Sequence, residues 1–149
     1  MTLLSQPVFQ LYAFVSSLII IILYGLGFWT AKVRAEKKAV INHEDVAING
    51  GASVVDVEHP DVQRIKRAHG NAIENAVPFF AIGFLYTQTD PSLTMARILF
   101  FTFLAFRLFH ALFYLGAKQP FRTLSFTVGA LVNIVMIVQV IRAVAPLVF

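Results

Sequence analysis

The chain has 149 residues, of which 58% are hydrophobic and 13% charged, with a formal net charge of +4 and a mean hydropathy of +0.73. An apolar content this far above the roughly 45–50% of soluble domains excludes an ordinary soluble globule. The length suits a single integral membrane domain of about four spans of roughly 20 residues each. There is no cysteine, which excludes disulfides, thiolate metal sites and a cysteine nucleophile. Any thiol chemistry here must use a thiol carried by a bound small molecule.

Residues 1–31 contain no Asp, Glu, Lys or Arg. Val8 to Thr30 reads as a first transmembrane helix, with Tyr12 near one end and Phe28-Trp29 near the other as interfacial aromatics. No Lys or Arg precedes it and the basic cluster follows it, so it reads as a retained span rather than a signal peptide. The dense basic collar Lys32-Val33-Arg34-Ala35-Glu36-Lys37-Lys38 marks the cytoplasmic end. Residues 39–59 read as a long polar connection with a turn at Asn49-Gly50-Gly51. Its His43, Glu44, Asp45, Asp56, Glu58 and His59 match no metal-ligand spacing and read as a solvated loop, so no metal site is expected.

Pro60-Asp61 opens a second helix running to about Gln88, with Pro suited to its first turn and Asp to its positive dipole end. This helix starts charged and becomes apolar without a break, and Pro78 is expected to kink it. At about 100° per residue, Arg64, Arg67, Asn71 and Glu74 fall within about 80° of one another. After a short turn at Thr89-Asp90-Pro91-Ser92, a third helix runs from about Leu93 to Leu115. It places Arg107, His110 and Tyr114 within about 60° on one face. A tight turn, Gly116 to Pro120, leads to a fourth helix from Phe121 to about Ala143, with Pro146 expected to end it. Residues 123–141 carry no charge, enough to span. Arg122, Phe126, Gly129 and Asn133 share one stripe, and a small residue within it suits close helix packing.

The predicted spans are thus approximately residues 8–32, 60–88, 93–116 and 120–143 of one domain covering 1–149. Lys32, Arg34, Lys37, Lys38, Arg64, Lys66, Arg67, Lys118 and Arg122 lie at one set of helix ends, and only Arg97 and Arg142 at the other. By the positive-inside rule both termini lie outside the cytoplasm. No basic face continues outside the apolar segments, which argues against nucleic acid.

Polar groups at membrane depth are expensive unless they face a bundle interior or a wet cavity. Here they converge on one membrane level. Arg34 ends the first helix, Arg64, Arg67, Asn71 and Glu74 lie in the second, Arg107, His110 and Tyr114 in the third, and Arg122 begins the fourth. Guanidinium groups pair bidentately with carboxylates, and Glu74 can accept from an ammonium. The set suits a small zwitterion with more than one carboxylate, and the Phe-rich walls suit a lipophilic second substrate. Internal ion pairs of Arg64 or Arg67 with Glu74 remain an alternative use of the same residues. So do lipid-phosphate contacts for Arg34 and Lys37, and helix or subunit packing for His69, which faces the opposite side.

Arg67-Ala68-His69-Gly70-Asn71-Ala72-Ile73-Glu74 resembles the Arg-Ala-His-x-Asn-x-x-Glu signature of the MAPEG family, the membrane-associated proteins in eicosanoid and glutathione metabolism. Glu44-Asp45, Gly50-Gly51, Pro60-Asp61-Val62, Pro78-Phe79, Arg107-x-x-His110, Tyr114-Leu115-Gly116 and Pro120-x-Arg122 fall in the same register. The similarity covers nearly the whole chain and is greatest to the prostaglandin E synthase-like branch. It implies an all-α integral membrane protein, a four-helix transmembrane bundle assembled as a homotrimer, with glutathione at each subunit interface. By position, Arg34, Arg67, His69, Asn71, Glu74, His110, Tyr114 and Arg122 match glutathione-contacting residues. His69 would reach the ligand of a neighbouring subunit. Arg122 would also be catalytic by favouring the thiolate, with Thr123 supplying a nearby hydroxyl and Asp45 a loop carboxylate.

The resemblance also shows departures. Gly70 stands where that branch has Arg, Phe126 replaces a Tyr, and Ala130 replaces a Gln. These changes favour a general glutathione transferase or peroxidase acting on lipophilic electrophiles or lipid hydroperoxides. A prostaglandin E synthase-like isomerase and a non-catalytic lipid-binding accessory protein of the same fold are the alternatives. A multi-pass bacterial inner-membrane protein is preferred to an endoplasmic reticulum one.

Overall fold

A computed structural model describes residues 2–149. After a short 3₁₀ turn at Leu3–Ser5, helix α1 spans Pro7–Lys37. Strand β1 is Ala39–Val40, α2 is Asp45–Ile48, and β2 is Ser53–Val54. Three long helices follow: α3 at Pro60–Thr87, α4 at Leu93–Leu115 and α5 at Phe121–Val148. Of the four long helices, α1, α4 and α5 are long and apolar enough to cross a membrane. By composition α3 is not among them, because its first half carries the charged stripe.

The ends of these helices follow local chemistry. Helix α1 continues beyond the predicted span through the basic collar, whose Lys, Arg, Glu and Ala are good helix formers. Arg34 and Lys37 occupy its last turn, where cations suit the negative end of the dipole. Lys38 stops it in the left-handed conformation, φ 48°. At about 1.5 Å per residue the helix is about 46 Å long, so its end projects past a hydrocarbon core about 30 Å thick. At the start of α3, His59 accepts from the Asp61 backbone N–H at 3.2 Å and Pro60 takes the first position.

One expectation about proline needs revision. Helix α5 is not ended by Pro146 but runs through it to Val148, and α3 carries Pro78 within its length. Each ring removes one backbone donor. At Pro146 the helix has only two further residues to complete, so the loss of one bond does not end it.

The 39–59 connection is also more ordered than a solvated loop. β1 and β2 pair in parallel, Ala39 with Ser53 and Val40 with Val54. The Ser53 and Val55 N–H groups donate to Lys38 and Val40 carbonyls at 2.9 and 2.8 Å. The return between α2 and β2 turns on Gly50 and Gly51, at φ 63° and 76°, a region that L residues avoid.

The bundle core is aromatic. Phe79 and Phe103 stack at 4.2 Å between centroids, and Phe100 meets Phe79 edge-on at 5.7 Å. Val15, Ile19, Tyr86 and Met136 close the cluster. Gly83 lets α3 approach α1, since a Cβ there would meet the Tyr12 ring at 3.1 Å.

A second anchor ties the connection to the bundle. The Glu58 side chain is only 6% exposed. Its two oxygens take Arg34 of α1 and, at 2.7 Å, Lys66 of α3. Its carbonyl accepts from Gln63 Nε2 at 2.8 Å. Burial alone would raise the carboxyl pKa, but the Lys66 and Arg34 hydrogen bonds outweigh that and hold it below its ordinary 4.5. A lowered carboxylate pKa adds stability that is complete above the unfolded value and is lost as pH falls through the folded one. Glu58→Gln should therefore cost about 1–3 kcal/mol at neutral pH. The thermal midpoint in detergent should fall accordingly, and the gap to the parent should close as the pH is lowered below about 4.5.

Candidate functional site

The site is built from the contact between α4 and α5. Arg107 is buried, 5% exposed, at a depth where a guanidinium must find partners. Its Nη2 donates to the Ser125 and Phe126 carbonyls at 3.0 and 3.2 Å. Its Cζ lies over the Phe103 ring and over the Phe126 ring, 5.6 and 5.7 Å from their centroids, an arrangement favourable to a cation. Gly129 makes the approach possible, since a Cβ there would lie 2.5 Å from Nη2. Arg107 thus fixes the rotation and register of α5 against α4.

A second polar tie joins α3 to α5. Asn75 donates to the Asn71 carbonyl at 2.9 Å, and Asn133 donates to the Asn75 carbonyl at 3.5 Å. Both asparagines are buried.

These ties bring three helices together around a cavity of about 220 Å³. It is lined by Asn71 of α3, His110 and Tyr114 of α4, and Arg122, Thr123 and Phe126 of α5. The Arg122 guanidinium lies over the Tyr114 ring, 4.7 Å from its centroid. The His110 ring stands 5.6 Å from Tyr114 and 6.1 Å from Phe126. Gln119 braces the helix start. With its carboxamide oxygen toward Arg122 it accepts from Nη2 and Nε at 2.6 and 3.2 Å, and its nitrogen then donates to Thr123 Oγ1 at 3.1 Å.

The lining offers a guanidinium, a phenol, an imidazole, an amide and a hydroxyl, and no carboxylate. Its chemistry is that of an anion site, with Arg122 as its charge.

Five of the residues singled out in the sequence therefore meet: Asn71, His110, Tyr114, Arg122 and Thr123. The others do not line this cavity. Arg34 is engaged with Glu58. Arg67 is exposed and bonds Gln63 Oε1 at 3.3 Å. Glu74 is exposed on α3. His69 faces α1, its Cε1 3.7 Å from where a Gly27 Cβ would stand. Asp45 begins α2, its carboxylate accepting from Asn42 at 3.3 Å. Glu58, Asn75 and Gln119 were not singled out. Asn75 lies one turn beyond Asn71, a spacing that signals a shared face, whereas the Glu58 contacts join segments far apart in sequence.

The MAPEG family model matches residues 12–142. The chain belongs to the MAPEG family. Among its relatives is the Homo sapiens prostaglandin E synthase, 34% identical over 139 residues, covering 93% of this chain and 91% of the relative. The Bos taurus microsomal glutathione S-transferase 1 is 33% identical over 145 residues, covering 95% and 94%. As a MAPEG member, the chain holds its cavity at the ends of helices that bear the family-like motifs Arg107-x-x-His110, Tyr114-Leu115-Gly116 and Pro120-x-Arg122.

Gly129→Ala tests the register argument. In an ordinary helix interior this change stabilises by about 0.4–1 kcal/mol. Here the methyl would displace Arg107, so the expected outcome is a loss of about 1–3 kcal/mol, read as a lower thermal midpoint in detergent.

Proposed function

We propose that this protein is a membrane-bound glutathione transferase with peroxidase capacity. It would transfer glutathione to lipophilic electrophiles or use it to reduce lipid hydroperoxides. The observation that carries the reading is Arg122 held over the Tyr114 ring in the wall of a cavity whose lining has no carboxylate. The names of its relatives, a glutathione transferase and a prostaglandin E synthase, support the same reading.

The residues present fit glutathione. Its carboxylates and its thiolate are anionic, and the lining supplies hydrogen-bond donors and one fixed cation. The cavity within one chain is smaller than the roughly 300–1,000 Å³ of typical ligand sites. A neighbouring copy would complete it, in a homotrimer of four-span subunits with both termini on the side away from the basic ends. Arg34, Arg67, His69 and Glu74 would then serve across the interface, with Arg67 and Glu74 already exposed for that purpose.

Glutathione, when bound, supplies a thiol whose free pKa is about 8.5 and whose thiolate is the nucleophile. Arg122 stabilises negative charge at the sulfur and so lowers that pKa. Tyr114 and the Gln119 carboxamide keep the guanidinium in place. Thr123 offers a hydroxyl beside it, and Asn71 and His110 bind the peptide portion. The exposed Phe121, Leu124 and Phe126 form an apolar approach for a substrate arriving from the bilayer.

A prostaglandin E synthase-like isomerase is the second reading, favoured by the relatives' names. Phe126 argues against it, since this cavity-lining position carries no phenol for proton transfer. Asp45 would have to act from outside the cavity.

Purified protein in detergent is expected to conjugate glutathione to an activated aryl chloride. Removing the guanidinium raises the thiol pKa, so Arg122→Ala should lose about a hundredfold in rate at neutral pH, matching a shift of about two pKa units. Its rate should also rise at correspondingly higher pH. A parental rate and pH profile in Arg122→Ala would contradict the mechanism.

A further inference from the structure

At the end of the bundle away from Arg122 lies a groove of about 710 Å³. It is lined by Pro91 in the turn before α4, by Met95 in the first turn of α4 and by Ile134, Val138, Gln139 and Arg142 on α5. The proposed function uses none of these residues.

Three observations define an occupant. First, Arg122 and Arg142 bracket the apolar part of α5. Twenty residues at 1.5 Å each separate them by about 30 Å, which is the thickness of a hydrocarbon core. Arg142 therefore lies at the level of lipid phosphates on the far face. Second, the wall leading from it toward the bilayer centre is apolar and open. Ile134, Val135 and Val138 are 52%, 41% and 40% exposed, and Ile134 to Arg142 covers about 12 Å of helix, close to the depth of one leaflet. Third, the charged lining is one cation without an acid. No carboxylate lines the groove, and among the described residues Arg142 has no ion pair.

We infer that this groove is a binding site for an anionic glycerophospholipid. Its phosphodiester pairs with the Arg142 guanidinium, which suits phosphate oxygens bidentately. Gln139 provides a second polar group at the same level, and one acyl chain lies along Ile134, Val135 and Val138. A headgroup whose only charge is the phosphate matches a lining with no carboxylate. A choline or ethanolamine headgroup brings a cation that the lining leaves without a partner.

The test uses the full-length protein in mixed micelles, titrated with phosphatidylglycerol or phosphatidylcholine and followed by native mass spectrometry. The parent should retain phosphatidylglycerol in preference to phosphatidylcholine. Arg142→Gln should weaken phosphatidylglycerol retention about tenfold and abolish the preference. Val138→Trp, which fills the apolar wall, should weaken both lipids. Neither residue belongs to the Arg122 cavity, so glutathione conjugation by both variants serves as the control for folding, while the lipid readout needs no glutathione. Equal retention of the two lipids by the parent, or unchanged retention in Arg142→Gln, would overturn the proposal. So would a change of oligomeric mass in Val138→Trp, which would make the groove a contact between copies of this chain.

Discussion

A guanidinium buried between two apolar helices is the constraint on which the rest of this structure depends. Among the described residues Arg107 has no carboxylate partner. Its Nη2 donates instead to the Ser125 and Phe126 carbonyls and its Cζ lies over two aromatic faces, while Nε and Nη1 are buried without a hydrogen-bond partner among the described residues. Carbonyls inside a helix are already engaged, so this arrangement holds only where α5 comes unusually close, and Gly129 provides that closeness. A polar group that is expensive to bury has few acceptable positions. That is why it defines one register between α4 and α5 where apolar packing alone would tolerate several.

The cavity follows from that register. Ser125 and Phe126 lie a turn beyond Arg122 and Thr123, and Arg107 lies a turn before His110 and two before Tyr114. Tying the first pair to Arg107 places the head of α5 beside the end of α4, with Arg122 over the Tyr114 ring. Asn75 and Asn133 bring α3 to the same place, and Asn71 closes the wall. At the other margin, Glu58 holds the ends of α1 and α3 together through Arg34 and Lys66. The cavity lining thus sits on helices rather than loops, and in the proposed reaction the thiol carrier is the mobile component.

Much of this was legible in the sequence because the helical period writes it directly. Arg107, His110 and Tyr114 share a face in any helix covering them, and α4 ends where the Gly116 turn predicts. The α3 limits follow from Pro60-Asp61 and the Thr89-Asp90-Pro91-Ser92 turn. What escaped depends on contacts between distant segments. Two-residue strands have no alternation to detect, so the β1–β2 pair was hidden within a polar connection. Glu58 looked like one acid among several in that connection, and only the folded chain shows it between Arg34 and Lys66. The basic collar and Pro146 misled about helix ends, because helix propensity and one missing backbone bond are smaller effects than the continuity of a long helix. The helical period alone makes the stripe on α3 one wall of a pocket. Within a single chain only Asn71 joins the cavity, and Arg67 and Glu74 point outward.

The central claim is that Arg122 makes this cavity a place where a thiol is held as its anion. Titrating the purified protein with glutathione while recording ultraviolet thiolate absorbance at neutral pH tests it most directly. A saturable rise in absorbance is expected, and it should disappear when the S-methylated peptide is used. Saturable binding of glutathione with no thiolate signal would contradict it.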